Sequence, residues 1–494
     1  MPPSIHVFTL DCLRKSVCST GTTPFLSSFP LQWSRCYSSG TWTLPSHASL
    51  ISGQDPTDHR VTDSQSSVMR EQAHLLRRAN ENGYETALFS ENPQYSSITG
   101  FDDCFDVVHD FIDWKLLPSE FTPKYALDEL SLDGCKRFTW DIFSQPNRIP
   151  NLINTAFTAY RHFSDPQREF PHHGGRVISH LCSYLSERTT PTLTVTNVLE
   201  PHNPYWGSPP GQQEVKTSAE DRALRNRRSG RYEFTNKQIP AEMRDVFSDY
   251  EEVFAVEERT YEAFSREADR LIQRFHDELT SRFEEDLIVL VGDHGQLFGA
   301  EGDVGHSTSL HPHGIHVPLA IDPPAGWTKP ERTISDPVSN AGLGRALMDV
   351  VTNEVTSTAG FIDSISEYSR GPHGAVLACA DGPTFNASGL FDANKFNNNL
   401  VRKKCLRKVA CIYGEYVDVY SCHWDKESVN VTSYRYSETD REVVPERDPP
   451  SVPDDIESWI IRTPEYYNTT SGVDNSGETQ SEAVTQRLKQ LGYQ

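Results

Sequence analysis

Four polar side chains stand at or just after the ends of apolar runs in this sequence: Asp11, His202, Asp293 and His294. Carboxylate oxygens and imidazole nitrogens are common ligands of divalent cations. If the runs are neighbouring parallel strands, their carboxyl ends meet at one edge of a sheet, where ligands bind. The pattern therefore predicts a metal site built from residues that are far apart along the chain.

A fifth polar group lies in the stretch TWTLPSHASLISG, residues 41–53. Pro45 and Ser46 are typical of a helix start, so a helix is predicted to begin near Ser46. One interpretation is a loop and a helix cap without chemistry. The other is that Thr43 is a nucleophile, because a nearby cation would lower the pKa of its hydroxyl and the helix N-terminus would favour an oxyanion.

Each of these features is weak by itself. An aspartate at a strand end, such as Asp11, is often a turn or cap residue. The sequence Asp293-His294-Gly295 also fits a turn that contains a hydrogen-bonded histidine. Their occurrence together, and in this order, favours a functional site.

Strands and helices alternate through most of the chain. Strands are predicted at 5–10, 84–90, 192–200, 286–292 and 316–321. Helices are predicted at 66–82, 151–163, 174–188 and 239–283, with a long surface loop at 207–232. This alternation predicts an α/β fold with a mostly parallel central sheet sandwiched by helices.

The pattern changes after about residue 365. Short, closely spaced strand candidates, including VRKKCLRKVACIYGEYVDVYSC, predict a small antiparallel sheet, and SEAVTQRLKQLGYQ predicts a terminal helix. Residues 436–455 are charged and proline-rich, which is typical of a linker or loop. We expect a catalytic domain at 1–365, a small α+β subdomain at 366–450, and a tail with a terminal helix at 451–494.

Composition limits the classes of function. The net charge of −23 disfavours nucleic acid as a partner, because an acidic surface repels phosphate. Such an acidic protein is also typical of a halophile, whose high-salt cytoplasm screens the repulsion. The sequence shows no secretory signal and no window near the ~18 apolar residues of a membrane span, so we expect a cytoplasmic protein. The ten cysteines form no C-x-x-C pair, which argues against a zinc ribbon.

Four segments together resemble the alkaline phosphatase and sulfatase superfamily, and in particular its sulfatase-like branch. They are IHVFTLDCLR, TLPSHASLISG, NVLEPHNPYW and LIVLVGDHGQLFGAEGDVGHSTSLHPHGIHVPLAI. The resemblance spans residues 5 to about 321. It implies an alkaline phosphatase-like fold and a metal-dependent hydrolase of phosphoric or sulfuric esters.

The resemblance also implies which residues hold the metal. By position, Asp11, Asp293 and His294 match the metal ligands of the family. Thr43 matches the nucleophile, which also contacts the metal. The expected cofactor is one divalent ion, and an oxygen-rich site with one imidazole suits Mn²⁺, Mg²⁺, Ca²⁺ or Zn²⁺.

Five further residues receive roles from the resemblance alone. His47 falls where sulfatases carry an arginine, and His202 matches the transition-state or leaving-group histidine. His306 falls near the residue that contacts the transferred group. Arg14 and Asn92 are expected to line the substrate pocket.

Besides His47, two positions depart from the sulfatase pattern. Thr43 replaces the cysteine that becomes formylglycine, and threonine cannot be oxidised to formylglycine. The resemblance therefore implies a covalent Thr43 intermediate like that of related phosphatases and phosphotransferases. Cys12 replaces the second carboxylate that often follows the first aspartate, which favours one metal over two. The histidines 306, 311, 313 and 316 also invite a second metal site, but loop and structural roles fit them better.

Three functions follow as hypotheses. The leading one is a sulfatase-like hydrolase, independent of formylglycine, that acts on a small-molecule or glycan ester, with phosphate favoured over sulfate on chemical grounds. A phosphoryl-group transferase acting on a glycan or lipid head group would use the same intermediate, with an alcohol in place of water. A non-catalytic member of the fold is the third. The natural substrate and the oligomeric state stay open.

Overall fold

The structure is a computed structural model, and it describes most of the predicted catalytic domain. The described residues are 2–62, 68, 70–95, 99–111, 152–153, 174–203, 251–279, 285–300, 304–306, 309–371, 373–381, 406–423, 429–437, 441–444 and 451–461. The predicted loop at 207–232 and the predicted terminal helix lie outside them, as does the predicted helix at 151–163 apart from residues 152–153.

The first eleven strands lie in the larger part of the chain. They are β1 (Ile5–Leu10), β2 (Leu31–Tyr37), β3 (Glu85–Ser90), β4 (Val107–Asp110), β5 (Thr192–Val198), β6 (Leu287–Gly292), β7 (Leu297–Phe298), β8 (Val304–Gly305), β9 (His316–Asp322), β10 (Arg332–Ile334) and β11 (Val338–Ser339). Nine of them form one sheet in the order β10-β2-β9-β6-β1-β5-β3-β4, with β11 beside β2, while β7 and β8 pair with each other. Only β9 runs antiparallel to its neighbours among the described strands of this sheet, so the predicted mostly parallel sheet is confirmed.

The central strands end level with one another. Leu10 at the end of β1 pairs with Val198 of β5 and with Gly292 of β6, both in parallel register. The residues that follow these strands, Asp11 and Asp293 among them, therefore leave the sheet at the same edge.

Nine helices occur in the described part of the chain. They are α1 (Thr43–Ser52), α2 (Pro56–His59), α3 (His74–Glu81), α4 (Gly174–Ser186), α5 (Glu251–Leu279), α6 (Pro312–Ile315), α7 (Asn340–Val351), α8 (Thr358–Arg370) and α9 (Asp454–Ile461). Alternate residues of β1 divide between two hydrophobic clusters: Ile5 and Val7 pack with α1, α3, α7 and α8, whereas Phe8 and Leu10 pack with α4 and α5. Helices thus cover both faces of the sheet, as predicted.

Several boundaries differ from the predictions. Helix α1 begins at Thr43 rather than near Ser46, since a proline is tolerated within the first helical turn. Helix α3 begins at His74 and not at residue 66, because Val68 donates its backbone N–H to Thr99 instead of to a helix carbonyl. In the described part of the amphipathic stretch 239–283, residues 251–279 form one long helix, α5.

The predicted antiparallel sheet is also present. Its strands are β12 (Val376–Ala380), β13 (Leu406–Tyr413), β14 (Tyr416–His423), β15 (Asn430–Tyr436) and β16 (Arg441–Val443), and the last of them occupies part of the stretch expected to be a loop. The small sheet contacts the loop before α1, where Cys379 of β12 donates its backbone N–H to the carbonyl of Ser39 at 2.8 Å. Among the described helices, none combines the length and apolar character needed to cross a membrane.

Candidate active site

Three side chains from the sheet edge meet in a buried cluster. Asp11 follows β1, while Asp293 and His294 follow β6, and all three are at most 1% exposed. The Nε2 atom of His294 lies 3.7 Å from Oδ1 of Asp11 and 3.4 Å from Oδ2 of Asp293. One donor atom from each residue lies within 4.8 Å of the others, which is close enough for all three to bind one ion.

The two carboxylates are each held through one oxygen only. Asp11 Oδ2 accepts hydrogen bonds from Asn92 at 2.8 Å and from Asn197 at 3.1 Å. Asp293 Oδ1 accepts the backbone N–H groups of Cys12 at 3.0 Å and of His294 at 2.8 Å. The other oxygens, Asp11 Oδ1 and Asp293 Oδ2, are buried and have no hydrogen-bond partner. Because a buried carboxylate oxygen without a partner is costly, this arrangement fits a cation between the two.

The protonation of His294 suits the same role. Its Nδ1–H donates to the carbonyl of Gly295 at 2.9 Å, which leaves a lone pair on Nε2 facing the carboxylates. Burial lowers the pKa of His294 to about 4, so the ring is neutral near pH 7. Gly295 itself is required by close packing, since a Cβ there would lie 2.0 Å from the carbonyl oxygen of His313.

Burial also raises the pKa values of both carboxyl groups. For Asp293 the rise is large, and the nearby charge of Asp11 adds to it. For Asp11, burial outweighs the opposing effects of His294 and of the two asparagine donors. Two neighbouring carboxyl groups that resist ionisation without a counter-charge are what a dedicated cation site would contain.

Thr43 lies beside this cluster at the first position of α1. Its Oγ1 lies 3.3 Å from Nε2 of His294. The hydroxyl of Thr43 therefore lies beside the imidazole that faces Asp11 and Asp293. With the helix beginning at Thr43, its hydroxyl is closer to the helix N-terminus than the sequence suggested.

A buried network of hydrogen bonds fixes α1 to the end of β6. Ser38 and Ser46 both donate to the carbonyl oxygen of Asp293, and Ser46 does so at 2.5 Å. Asn340, the first residue of α7, donates to Ser46 Oγ at 2.7 Å and lies 3.3 Å from the same carbonyl. Because these bonds cross between elements, they fix Thr43 relative to Asp293.

His47 is neutral and packed, unlike the arginine expected at this position in sulfatases. Its Nδ1–H donates to the carbonyl of Thr43 at 2.8 Å and lies 3.7 Å from Asp293 Oδ2. Its ring packs edge-on against the ring of Tyr95, and the two ring centroids are 4.5 Å apart. Burial lowers its pKa to about 3, so His47 brings no positive charge to the site near pH 7.

His202 and His306 lie next to His294 and to each other. The ring centroids of His202 and His306 are 5.1 Å apart, and those of His294 and His306 are 4.7 Å apart. His202 donates through Nδ1 to the carbonyl of Asn203. His306 Nδ1 lies 2.8 Å from Oε1 of Gln296, and burial holds the pKa of His306 well below its usual value.

Arg14 and Asn92, the two residues expected to line the substrate pocket, both make polar contacts within the protein. The guanidinium of Arg14 donates to Glu258 at 2.6 Å and stacks near Tyr261 and Phe298. The guanidinium also donates to the carbonyl of Gln296 at 3.4 Å, and the Gln296 side chain contacts His306. Asn92 donates a hydrogen bond to the Asp11 carboxylate and so holds its orientation.

Several residues that shape the site were not predicted from the sequence. Asn197 lies in the fully buried strand β5 (TLTVTNV), where its amide was the available sequence signal for a buried polar contact. Tyr261 and Asn340 act across more than two hundred residues of sequence from Cys12 and Ser46. No local pattern marks contacts of this kind.

The sequence matches the sulfatase family over residues 18–353, more than half of the chain. The chain belongs to the sulfatase family. Membership implies divalent-metal dependence and hydrolysis of sulfate or related esters, in agreement with the cluster described above. No curated protein sequence matches this sulfatase-family chain.

Solved structures show the same fold at low sequence identity. The phosphonate monoester hydrolase of Agrobacterium radiobacter aligns with a TM-score of 0.54 at 15% identity, over 88% of this chain and 89% of that one. SpPMH, a phosphonate monoester hydrolase from Silicibacter pomeroyi, aligns with a TM-score of 0.55 at 14% identity, over 89% and 90% of the two chains. BT4656, in complex with its substrate D-glucosamine-2-N,6-O-disulfate, aligns with a TM-score of 0.50 at 13% identity, over 88% and 91%.

Proposed function

We propose that this sulfatase-family protein is a metal-dependent phosphoester hydrolase that uses Thr43 in place of formylglycine. The observation that carries the proposal is the position of Thr43 Oγ1, 3.3 Å from the His294 nitrogen that also faces two carboxylate oxygens without partners. A hydroxyl held beside such a cluster, at the start of a helix, is placed to become an attacking oxygen.

Asp11, Asp293, His294 and Thr43 are the residues that would hold the ion. When bound, a divalent cation would lower the pKa of the Thr43 hydroxyl and offset negative charge on the transferred group. Asn92 and Asn197 orient one carboxylate, while the backbone N–H groups of Cys12 and His294 orient the other. This outer set of donors keeps the ligands in place.

The reaction proceeds in two displacements at phosphorus. In the first, Thr43 Oγ1 forms a bond to phosphorus as the ester P–O bond breaks, and the hydroxyl proton passes to water. In the second, a water molecule attacks the phosphothreonine, which releases phosphate and regenerates the Thr43 hydroxyl. The net change is one ester and one water converted into one alcohol and one phosphate.

His202 is placed to deliver the proton that the leaving oxygen needs. Because its Nδ1–H is held by the carbonyl of Asn203, Nε2 is the atom that exchanges a proton. His306 packs edge-on against His202 and lies beside His294, where it would contact the transferred group. His47 supports the backbone carbonyl of Thr43 and carries no charge near pH 7.

The threonine favours phosphate over sulfate as the transferred group. In sulfatases the hydrated aldehyde of formylglycine expels sulfate by elimination, a route that needs a second hydroxyl on the same carbon. Thr43 has one hydroxyl, so its ester must be cleaved by attack on phosphorus or sulfur. Phosphothreonine is the type of ester that related phosphatases hydrolyse in this way.

A panel of substrates tests the proposal. Purified protein with Mn²⁺ is given an aryl phosphate, an aryl phosphodiester and an aryl sulfate, and product formation is followed by the absorbance of the released phenol. We expect turnover of a phosphate ester, a loss of about a thousandfold or more in Thr43→Ala, and partial retention in Thr43→Ser. Preferred cleavage of the sulfate, or equal rates in wild type and Thr43→Ala, would contradict it.

Added alcohols separate hydrolysis from transfer. With a sugar or glycerol acceptor present, a hydrolase releases inorganic phosphate in step with the phenol. If most of the phosphate appears on the acceptor instead, the protein is a phosphoryl-group transferase that uses the same intermediate. If none of the esters is turned over and elemental analysis finds no bound divalent ion, the chain is a non-catalytic member of the family.

A further inference from the structure

His202 is carried by a short turn that follows β5. The backbone N–H of His202 donates to the carbonyl of Leu199 at 2.9 Å, which closes the turn across Glu200 and Pro201. Because a proline ring fixes its own φ, the chain between Glu200 and His202 has little freedom. The position of Glu200 therefore determines where His202 lies.

The side chain of Glu200 binds the N-terminus of α4. Its Oε1 accepts the backbone N–H of Gly174, the first residue of that helix, at 2.9 Å. The first N–H groups of a helix have no partner within the helix, and a carboxyl group beside them satisfies one. Glu200 is only 3% exposed, so water does not compete for this contact. The contact ties the His202 turn to a helix that packs on the sheet.

The glycine at position 174 is required by this contact. A Cβ there would lie 2.2 Å from Oε1 and 2.5 Å from Oε2 of Glu200, so any other residue would displace the carboxyl group. The next residue is also a glycine, but a Cβ at Gly175 would meet Leu271 at 3.7 Å, which is an ordinary contact. Only the first glycine of the pair is therefore explained by the approach of Glu200.

The carboxyl group of Glu200 is mainly protonated near pH 7. Burial raises its pKa to about 8, and the nearby charges of Glu91 and Glu267 add to this rise, while the N–H of Gly174 opposes it. The second oxygen, Oε2, is buried and has no hydrogen-bond partner, a setting that a neutral carboxyl tolerates better than a carboxylate. Glutamine has the same shape and charge as this neutral form, so it should make the same contact with α4.

We propose that Glu200 is a positioning residue, which binds the N-terminus of α4 and so holds the turn that presents His202 to the leaving group. The proposal rests on the proposed function, in which His202 delivers the proton that the leaving oxygen needs. Thr43 and Asp293 are held by other contacts, so loss of the Glu200 contact should impair this proton transfer alone.

Two aryl phosphates distinguish this role from a general loss of structure. The weakly basic phenolate of 4-nitrophenyl phosphate leaves without a proton, whereas the strongly basic phenolate of phenyl phosphate needs one. We expect Glu200→Ala to lower kcat/KM about a hundredfold for phenyl phosphate and far less for the nitrophenyl ester, as His202→Ala should do. Glu200→Gln should restore most of the rate. Equal fractional losses for the two esters, or no rescue by glutamine, would overturn the proposal.

The two glycines of α4 provide a matched pair of variants. Gly174→Ala should displace the carboxyl group and show the same selective loss with phenyl phosphate, whereas Gly175→Ala should not. The double variant Glu200→Ala/His202→Ala should be no slower than His202→Ala, because both changes impair one proton transfer. Multiplied losses in the double variant, or equal effects of the two glycine variants, would contradict a role exerted through His202.

Urea unfolding tests the contact without any substrate. Gly174→Ala should lower the midpoint of unfolding in the wild-type background and lower it less in the Glu200→Ala background, where the carboxyl group is absent. The same shift in both backgrounds would overturn the contact. Unequal shifts in a protein that turns over no ester would retain the contact and reject the proposed function together with the role of His202. Turnover of phenyl phosphate with equal shifts would reject the contact and retain the proposed function.

Discussion

The hydroxyl of Tyr261 lies 2.8 Å from the carbonyl oxygen of Cys12 and donates a hydrogen bond to it. The same hydroxyl accepts the backbone N–H of Arg14, also at 2.8 Å. Tyr261 comes from the middle of α5 and is fully buried. Together with Asp293, which accepts the backbone N–H of Cys12, Tyr261 holds the turn that carries Asp11 out of β1 and so stabilises the strained left-handed conformation of Cys12.

Replacing Tyr261 by phenylalanine should loosen this turn. The Tyr261→Phe variant leaves the carbonyl of Cys12 and the N–H of Arg14 buried without this partner, at a cost of about 1–3 kcal/mol for each such group. We expect a lower midpoint of thermal unfolding and weaker Mn²⁺ binding, measured by calorimetry. Tyr184→Phe is the control, because it removes one hydrogen bond, to the partly exposed Glu85, far from Asp11. Equal Mn²⁺ affinities in the two variants would contradict a positioning role.

Metal removal should destabilise the protein through Asp293. When a chelator takes the ion, Asp11 and Asp293 are buried together, and burial keeps their pKa values above the ordinary one. At a pH between the ordinary pKa and the raised pKa, these carboxyl groups ionise in the unfolded chain but stay protonated in the folded protein. The free energy of unfolding of the chelated protein therefore falls as the pH rises. Asp293→Asn removes one of the two charges, and in chelator at pH 8 it should melt above the wild type.

With Mn²⁺ bound, the order of the melting temperatures should reverse, so that the wild type melts above Asp293→Asn. An ion at a hundred times its dissociation constant stabilises the wild type by about 2.7 kcal/mol, and Asp293→Asn should lose this response to added Mn²⁺. Asp418→Asn is the control, since Asp418 is a buried aspartate in the small sheet that accepts a hydrogen bond from Ser433. If Asp418→Asn also failed to respond to Mn²⁺, the response would not report on the proposed site.

His59 should contribute to acid sensitivity. Val61 donates its backbone N–H to Nδ1 at 3.0 Å, while Nε2–H donates to Ser49 at 2.9 Å, so the buried ring is held neutral. Burial lowers its pKa to about 3, below the ordinary 6.5. Above pH 6.5 the His59 ring is neutral in both the folded and the unfolded protein. Below pH 6.5 the ring is protonated in the unfolded chain but stays neutral in the folded protein. The free energy of unfolding therefore falls, by about 2 kcal/mol at pH 5.

Denaturant unfolding from pH 7 to pH 5 measures this contribution. In His59→Gln, whose amide can make the same two contacts, we expect the free energy of unfolding to fall less steeply with acid than in the wild type. His180→Gln, at an exposed position of α4, should keep the wild-type slope. A slope in His59→Gln equal to that of the wild type would show that His59 is protonated in the folded state.

The proximity of Asp11, Asp293 and His294 could be predicted from the sequence because these residues follow strands with a clear local pattern. Runs such as 286–292 are apolar enough to identify a buried strand, and parallel strands carry their C-terminal residues to one edge. The local sequence around Asp11, Asp293 and His294 is therefore enough to infer that these residues lie close together. The high-salt cytoplasm inferred from net charge stays a prediction.

Elements whose patterns are mixed were not predicted. Strand β2 (LQWSRCY) includes Ser34 and Arg35, so its apolar residues do not alternate regularly. Helix α7 (NAGLGRALMDVV) contains glycines, which are poor helix formers. Gly344 is nevertheless required there, because a Cβ would lie 1.9 Å from the carbonyl of Leu50 in α1. Glycine is needed at this position because α1 and α7 lie in close contact, and such a contact cannot be inferred from the local sequence pattern.

The residues around the ligands were the hardest to predict. Asn92 and Arg14 were expected to line the pocket, and their contacts with Asp11 and Glu258 were not predicted. Asn197 and Tyr261 reach the site only through the pairing of distant elements. Side-chain direction at a sheet edge depends on these long-range contacts, so it follows from the fold and not from spacing.

The most direct test of the account is to trap the intermediate on Thr43. Protein mixed with an aryl phosphate and Mn²⁺ is quenched in acid within the first turnover, digested, and analysed by mass spectrometry for a phosphorylated peptide. We predict phosphate on Thr43, present with substrate and absent after Thr43→Ala or chelation of the metal. Turnover of the substrate with phosphate on another residue, or at an unchanged rate in Thr43→Ala, would contradict the account.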